Sequence, residues 1–195
     1  MTNEISALLE GAAAQARPVV HGVRDEQLGV PTPCSEYDVT ALLNHLLHVV
    51  VSFQALAAKG TADFSTTPDY LEGGKADWRT RFDEETARLV EAWAAPGALE
   101  GTSQGMGLPQ STVGGMVLGD LTVHAWDLAR ATGQDFRPYE PSLPVLVEGW
   151  RELAPMGRKM GAFGEPFPVP GDASPFDELL ALSGRDPNWR PPVPA

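Results

Sequence analysis

The chain has 195 residues, of which 43% are hydrophobic, and its formal net charge at pH 7 is −12. This length predicts one domain with a sizeable core over residues 1–195, of which about 161–195 form a C-terminal extension. The acidic charge argues against a nucleic-acid partner, because phosphate binding requires clustered Lys and Arg. The apolar runs are too short for a membrane span, and the N-terminus lacks the basic start of a secretion signal. We therefore expect a cytoplasmic protein without membrane contact, as a monomer or a homodimer.

Amphipathic periodicity predicts an all-α chain. Apolar residues recur at helical spacing in four long segments, which we expect to pack as a four-helix bundle. An additional fifth helix and one short helix follow, and the rest of the C-terminal tail is expected to be irregular. Pro18 predicts a bend in the first helix, whereas Gly133 suits the end of the fourth. The predicted helices cover, in chain order, about 4–23, 39–58, 75–94, 111–132, 142–160 and 174–183.

The fourth predicted helix, which contains the stretch GDLTVHAWDLARAT, carries polar groups on its apolar face. Asp120 and His124 are one turn apart, so their side chains project in the same direction, and Asp127 lies at the edge of that face. On the second helix, His45 flanks the apolar stripe, while His48 points further round and is expected to be more exposed. Burying such groups is costly unless they are paired, so either they satisfy one another or they hold a ligand.

His45, Asp120 and His124 are the candidate metal ligands. Two imidazoles and one carboxylate leave a fourth coordination position for water or substrate, which is typical of a catalytic zinc or similar divalent site. This donor set suits Zn, Ni or Fe(II) better than Ca. Asp127 is then a candidate for orienting a ligand from outside the ligand set. The spacing also fits a metal-free, hydrogen-bonded core pair, which is the commoner use of such a pair, and it is not the H-E-x-x-H pattern of zinc proteases.

Three stretches, PTPCSEYDVTALLNHLLH, VHAWDLARATGQ and LLALSGRDPNW, resemble in this order the actinobacterial DinB-like family around mycothiol-dependent maleylpyruvate isomerase, especially its branch of short metal-binding proteins. The likeness extends from about Leu8 to Trp189. It implies a DinB-like four-helix bundle with up-down-down-up connectivity. It also implies a metal held by one histidine on the second helix and by two residues four positions apart on the fourth. The matching positions are His45, Asp120 and His124.

Two departures limit what this resemblance implies. The family usually has Glu or His where this chain has Asp120, and the shorter carboxylate reaches less far, so we expect a weaker site. The isomerase has a further C-terminal domain that helps form its active site, whereas only about fifty residues follow Ser142 here. We therefore do not expect isomerase activity on maleylpyruvate. Thiol transfer, which the wider superfamily performs with mycothiol or bacillithiol, stays open.

The leading hypothesis is a metal-dependent enzyme in which a divalent ion, zinc ahead of nickel or iron, activates a small thiol of the mycothiol type toward a small-molecule electrophile. Such an enzyme would be a thiol transferase or isomerase-like, and the sequence identifies no general acid or base for it. The alternatives are a non-catalytic metal-binding or sensor protein and a metal-free structural bundle.

His48 and Cys34 are accessory candidates for the site. Cys34 lies just before a predicted helix N-terminus, where a thiolate would be favoured, which would allow a redox or mixed-disulfide role. Packing is the commoner role of such a cysteine, because free Cys behaves as a small hydrophobe. As the single cysteine of the chain, it excludes an intrachain disulfide and a cysteine-built zinc finger.

Overall fold

The structure, a computed structural model, describes residues 4–72, 78–159, 161 and 163–192. Over these ranges the chain forms α-helices and two short 3₁₀ helices, and its extended pairing is confined to isolated bridges such as that between Pro31 and Asp38. The prediction of an all-α chain is therefore confirmed. The helices are α1 (Glu4–Gly22), α2 (Val39–Ala57), α3 (Trp78–Ala94), α4 (Gln110–Thr132), α5 (Leu143–Lys159) and α6 (Pro175–Leu182), with 3₁₀ helices at Asp25–Gln27 and Glu140–Ser142.

The helix ends follow local capping chemistry. Asp38 is the N-cap of α2, and its carboxylate accepts a hydrogen bond from the backbone N–H of Ala41 at 2.8 Å. Gly133 ends α4 in the left-handed conformation, with φ 72°, as its position predicts. α5 begins one residue later than predicted, because Ser142 belongs to the preceding 3₁₀ helix. The predicted start of α3 at 75 and the predicted end of α5 at 160 lie outside the described residues.

α1 to α4 form the bundle. α1 packs against α3 and α4, and α2 packs against the same two helices, so α1 and α2 lie diagonally opposite each other. α1 continues as a helix through Pro18. The core consists of large apolar side chains from all four helices, among them the fully buried Leu9, Leu42, Leu46, Phe82, Leu89, Trp93, Leu118 and Leu121. This packing places the inner faces of α2 and α4, which carry the candidate ligands, against each other.

α2 is the one helix in the described part of the chain that is long and apolar enough to cross a membrane by length and composition. Of its most apolar window, 61% is buried inside the structure. Since α2 packs on both α3 and α4, its apolar character fits the core helix of a bundle.

The C-terminal tail returns to the bundle through α5 and α6. α5 packs against both α4 and α6. α6 ends at Leu182, and Gly184 follows the C-cap Ser183 with φ 83°, so that the backbone N–H of Arg185 bonds the carbonyl of Leu180 at 2.9 Å. This is the Schellman type of helix end, in which the glycine takes the left-handed conformation and reverses the chain. The reversal buries Arg185, which is 8% exposed.

Candidate metal centre

α2 and α4 bring His45, Asp120 and His124 together, with one donor atom from each lying within 4.8 Å of the others. Nε2 of His124 is 3.6 Å from Oδ1 of Asp120. The rings of His45 and His124 meet edge to face, with their centroids 5.0 Å apart. His124 is buried, while the side chain of Asp120 keeps 27% of its surface exposed. The cluster therefore lies at the rim of the core, with one side open to solvent.

Asp127 fixes the ring of His124 from the other side. Its Oδ2 is 2.9 Å from Nδ1 of His124, and the side chain of Asp127 is fully buried. An ionised carboxylate only accepts hydrogen bonds, so Nδ1 carries the hydrogen and donates it. In the neutral imidazole, Nε2 then keeps its lone pair, and this is the atom that faces Asp120. The arrangement presents Nε2 as a donor atom for a metal.

Burial shifts the pKa values of two of the candidate ligands. It lowers the pKa of His45 to about 3, and the neighbouring His124, His48 and Arg185 act in the same direction. Burial raises the pKa of Asp120, against the opposing effects of His124 and Arg185. A neutral imidazole is the form of histidine that ligates metals, so the lowered pKa keeps His45 in the ligating form.

The spacing of Asp120 and His124 also fits a shared divalent ion. Two atoms that each lie about 2.1 Å from one tetrahedral zinc are about 3.4 Å apart, and the pair Asp120–His124 stands at 3.6 Å. Among the described residues, this trio is the one set of three or more His, Cys, Asp or Glu side chains whose donor atoms lie so close together. Two nitrogens and one carboxylate oxygen suit zinc, nickel or iron.

His48 lies outside the cluster. Its Nε2 is 2.8 Å from the backbone carbonyl oxygen of Asp63, and its Nδ1 is 3.3 Å from the hydroxyl group of Tyr70. Both ring nitrogens are thus engaged by the loop that follows α2. The structure gives His48 a role in holding this loop, and it does not place the side chain among the donors.

Cys34 is half-buried and lies within electrostatic reach of Arg185 and Asp127. Burial raises the pKa of its thiol, and the charge of Asp127 acts in the same direction, while Arg185 opposes it. Burial therefore opposes the thiolate that the position before a helix would favour. α2 begins only at Val39, after its N-cap Asp38, and burial dominates at Cys34.

Two neighbours of the cluster were not singled out by the sequence patterns. Tyr37 stacks on the ring of His45, with the centroids 5.1 Å apart and the planes 26° from parallel. Arg185 donates from Nη2 to Oδ2 of Asp127 at 3.1 Å. The signal available for both was their place in the stretches that carry the family resemblance, since Tyr37 lies in PTPCSEYDVTALLNHLLH and Arg185 in LLALSGRDPNW. Neither lies on a periodic helix face that would have assigned it to the cluster.

A groove of about 420 Å³ is lined by Tyr37, and none of the three candidate ligands is among its lining residues. The loop before α2 forms one wall, and Trp189 and Pro192 of the tail form the other. Tyr37 lines the groove and stacks on His45, so this one side chain stands between the groove and the cluster. Its volume lies within the range of small-molecule sites.

The fold and the cluster together define the class of protein. It is a helical bundle with a candidate metal site, made of histidine and aspartate, between its second and fourth helices. Residues 9–129 match the model of the mycothiol maleylpyruvate isomerase N-terminal domain. The chain belongs to this family and has its DinB-like helical fold, which confirms the resemblance seen in the sequence. The matched segment includes all three candidate ligands and Asp127, whereas α5, α6 and Arg185 lie beyond it.

Two relatives come from Mycobacterium tuberculosis, and both are uncharacterised proteins: Rv0738 of strain H37Rv and MT0763 of strain CDC 1551. Each is 34% identical to this chain over 171 residues, which cover 84% of this chain and 87% of the relative. The likeness therefore continues past the family domain into the tail. No solved structure matches the chain.

Proposed function

We propose that this protein binds a divalent metal ion, zinc ahead of nickel or iron, through His45, Asp120 and His124. It is then a cytoplasmic, metal-dependent enzyme that joins a small thiol of the mycothiol type to a small-molecule electrophile, or isomerises such a compound. The observation that carries the proposal is the convergence of three donor atoms from α2 and α4 within 4.8 Å. The family description, which includes mycothiol, supports the choice of thiol.

Each ligand residue contributes a different property. His124 offers Nε2, because Nδ1 carries the hydrogen and donates it in a hydrogen bond to Asp127. His45 stays neutral at physiological pH, since its pKa is lowered to about 3. Asp120 contributes the one negative charge of the trio and faces solvent. When bound, a divalent ion supplies Lewis acidity, which lowers the pKa of a thiol or polarises an oxygen of the electrophile.

The surroundings of the cluster favour an enzyme over a closed metal site. Three protein donors leave a coordination position for an external ligand, as catalytic zinc sites do. The neighbouring groove offers the hydroxyl group of Ser35 and the carboxylate of Glu36 to a polar molecule, and the flat indole of Trp189 to an apolar one. A molecule held by these groups would be separated from His45 by the ring of Tyr37.

The metal content of protein purified without chelator or histidine tag tests the first half of the proposal. We expect wild-type protein from metal-replete cultures to carry metal and His45→Ala to carry almost none, because two donors hold an ion far less tightly than three. His21→Ala is the matched control, since His21 is an exposed histidine on α1. Wild-type protein without metal would support the metal-free structural bundle instead.

A turnover assay tests the second half of the proposal, the enzymatic activity. Protein loaded with Zn²⁺ is incubated with mycothiol and a panel of small electrophiles, and the loss of free thiol is followed. We expect consumption of the thiol by the wild type and by His21→Ala, and none above background by His45→Ala. Stoichiometric metal without turnover on any member of the panel would support a non-catalytic metal-binding or sensor protein.

A further inference from the structure

A buried ion pair joins the C-terminal tail to α4. Nη2 of Arg185 lies 3.1 Å from Oδ2 of Asp127, with side-chain exposures of 9% and 0%. Burying two charges is expensive, and it is tolerated only where the geometry is good and the partners stay in place. An ion pair at this depth therefore demands a fixed position of both groups.

The same oxygen of Asp127 serves two donors. Oδ2 accepts from Nδ1 of His124 at 2.9 Å and from Arg185 at 3.1 Å. Over the part of the chain that the structure describes, Oδ1 of Asp127 has no hydrogen-bond partner. The carboxylate of Asp127 is thus held through Oδ2, which accepts hydrogen bonds from both the guanidinium and the imidazole. A shift of Arg185 would be passed on to the ring of His124.

Local structure holds the guanidinium in place. The helix end at Gly184 directs Arg185 back toward α4, and its backbone N–H bonds the carbonyl of Leu180. Nη1 of Arg185 donates to the carbonyl of Ser183 at 3.0 Å, on the tail side of the group. The guanidinium therefore bridges two points, the end of α6 and the carboxylate of Asp127.

We propose that Arg185 is a positioning residue of the metal centre, which holds Asp127 so that the imidazole of His124 presents Nε2 toward Asp120 and His45. This inference rests on the proposed function, since it takes His124 as a ligand. It makes the tail part of the centre, although Arg185 lies beyond the family-matched residues 9–129. Partners that orient metal ligands from outside typically change metal affinity by about 10- to 100-fold when they are lost.

The test is the affinity for Zn²⁺, measured by competition with a chromophoric chelator, together with the melting temperature of each metal-free variant. Arg185→Met should bind Zn²⁺ about tenfold or more weakly than the wild type. Arg185→Lys should fall between the two, because the ammonium restores the charge without the planar fork. Arg151→Met is the matched control, since Arg151 also ties the tail through an ion pair, with Glu178, but is 60% exposed.

A double-mutant cycle separates positioning from a general loss of stability. If Arg185 acts through Asp127, then Arg185→Met should change the Zn²⁺ affinity less than twofold in the Asp127→Asn background. An equal loss in both backgrounds, or equal affinities of Arg185→Met and Arg151→Met, would overturn the inference. If Arg185→Met fails to fold, the test rests on Arg185→Lys, and a Zn²⁺ affinity of that variant equal to the wild type would overturn the inference. A wild type that binds no Zn²⁺ would overturn the proposed function, and this inference with it.

Discussion

Two histidine–aspartate pairs in this protein have nearly the same contact distance and opposite surroundings. His21 of α1 lies 2.8 Å from Asp83 of α3, and these side chains are 46% and 40% exposed. His124 lies 2.9 Å from Asp127, and these are 8% and 0% exposed. A solvated pair contributes little, because water screens and solvates its charges, whereas a buried pair depends on every partner it has. Burial and further partners, rather than contact distance, distinguish a candidate site from a surface contact.

The buried pair is also part of a longer chain of contacts. Nε2 of His124 faces Asp120, and Oδ2 of Asp127 meets Arg185. His45 approaches from α2, so side chains from three segments of the sequence, α2, α4 and the tail, meet in one cluster. The surface pair, in contrast, joins two neighbouring helices at their outer edges. This difference predicts different responses to the same substitutions.

The largest expected difference concerns stabilisation by metal. We expect Zn²⁺ to raise the melting temperature of the wild type and of His21→Ala, but not that of His124→Ala. An ion that binds only the folded protein stabilises it by about 4.1 kcal/mol when present at a thousandfold excess over its Kd, and a protein without the site gains nothing. Differential scanning fluorimetry with and without Zn²⁺ measures this rise. Equal rises for His124→Ala and the wild type would contradict the proposed centre.

The next largest difference concerns the free energy of unfolding without metal. Asp127→Ala leaves the guanidinium of Arg185 buried without its partner, which should cost about 3–5 kcal/mol. Asp83→Ala should cost at most about 1 kcal/mol, because that pair is exposed. Urea denaturation measures both. Adding Arg185→Met to Asp127→Ala should recover part of the lost free energy, since the unpaired charge is then removed. Losses of similar size for Asp127→Ala and Asp83→Ala would show that burial does not determine how much each pair contributes to stability.

The helices and the faces of the candidate ligands could be predicted from the sequence because both depend on short-range order. Helical periodicity places Asp120 and His124 on one face of α4, and the capping residues Asp38 and Gly133 mark helix ends. The pairing of α2 with α4, which brings His45 to that face, followed from the family resemblance.

Contacts made by irregular chain could not be predicted in this way. Arg185 reaches α4 only because the tail folds back after α6, and no periodic pattern encodes that path. Tyr37 stacks on His45 from a loop whose course depends on the packing around it. The raised pKa of Cys34 likewise follows from burial, which the position before a helix did not indicate.

The length of the carboxylate at position 120 should have a smaller effect on the centre. Asp120→Glu is expected to bind Zn²⁺ as tightly as the wild type or up to about tenfold more tightly, because the added methylene extends the reach by about 1.5 Å. Asp83→Glu is the control at the surface pair and should leave the affinity unchanged. Chelator competition measures both. A loss of Zn²⁺ by Asp120→Glu would mean that the cavity is fitted to the shorter side chain and that the expected weakness of the site is wrong.

The smallest expected effect uses Cys34 to detect the charges of Arg185 and Asp127. Its raised pKa means that less thiolate is present at a given pH, so iodoacetamide should alkylate the folded protein more slowly than the unfolded chain. The rate should reach half its maximum at a higher pH than in the unfolded chain, and mass spectrometry gives a clean readout because Cys34 is the single cysteine. Arg185→Met should move this midpoint further up, since the guanidinium favours the thiolate, and Asp127→Asn should move it down.

The surface pair provides the control for this measurement, because Asp83→Asn removes a carboxylate that is not among the charges acting on Cys34. Its midpoint should match that of the wild type. A midpoint below that of the unfolded chain would contradict the dominance of burial at Cys34. Opposite shifts for Arg185→Met and Asp127→Asn would support both charges acting at the thiol, since exposed charges at a distance are screened while buried ones are not. Unchanged midpoints in both variants would place the ion pair out of electrostatic reach of Cys34.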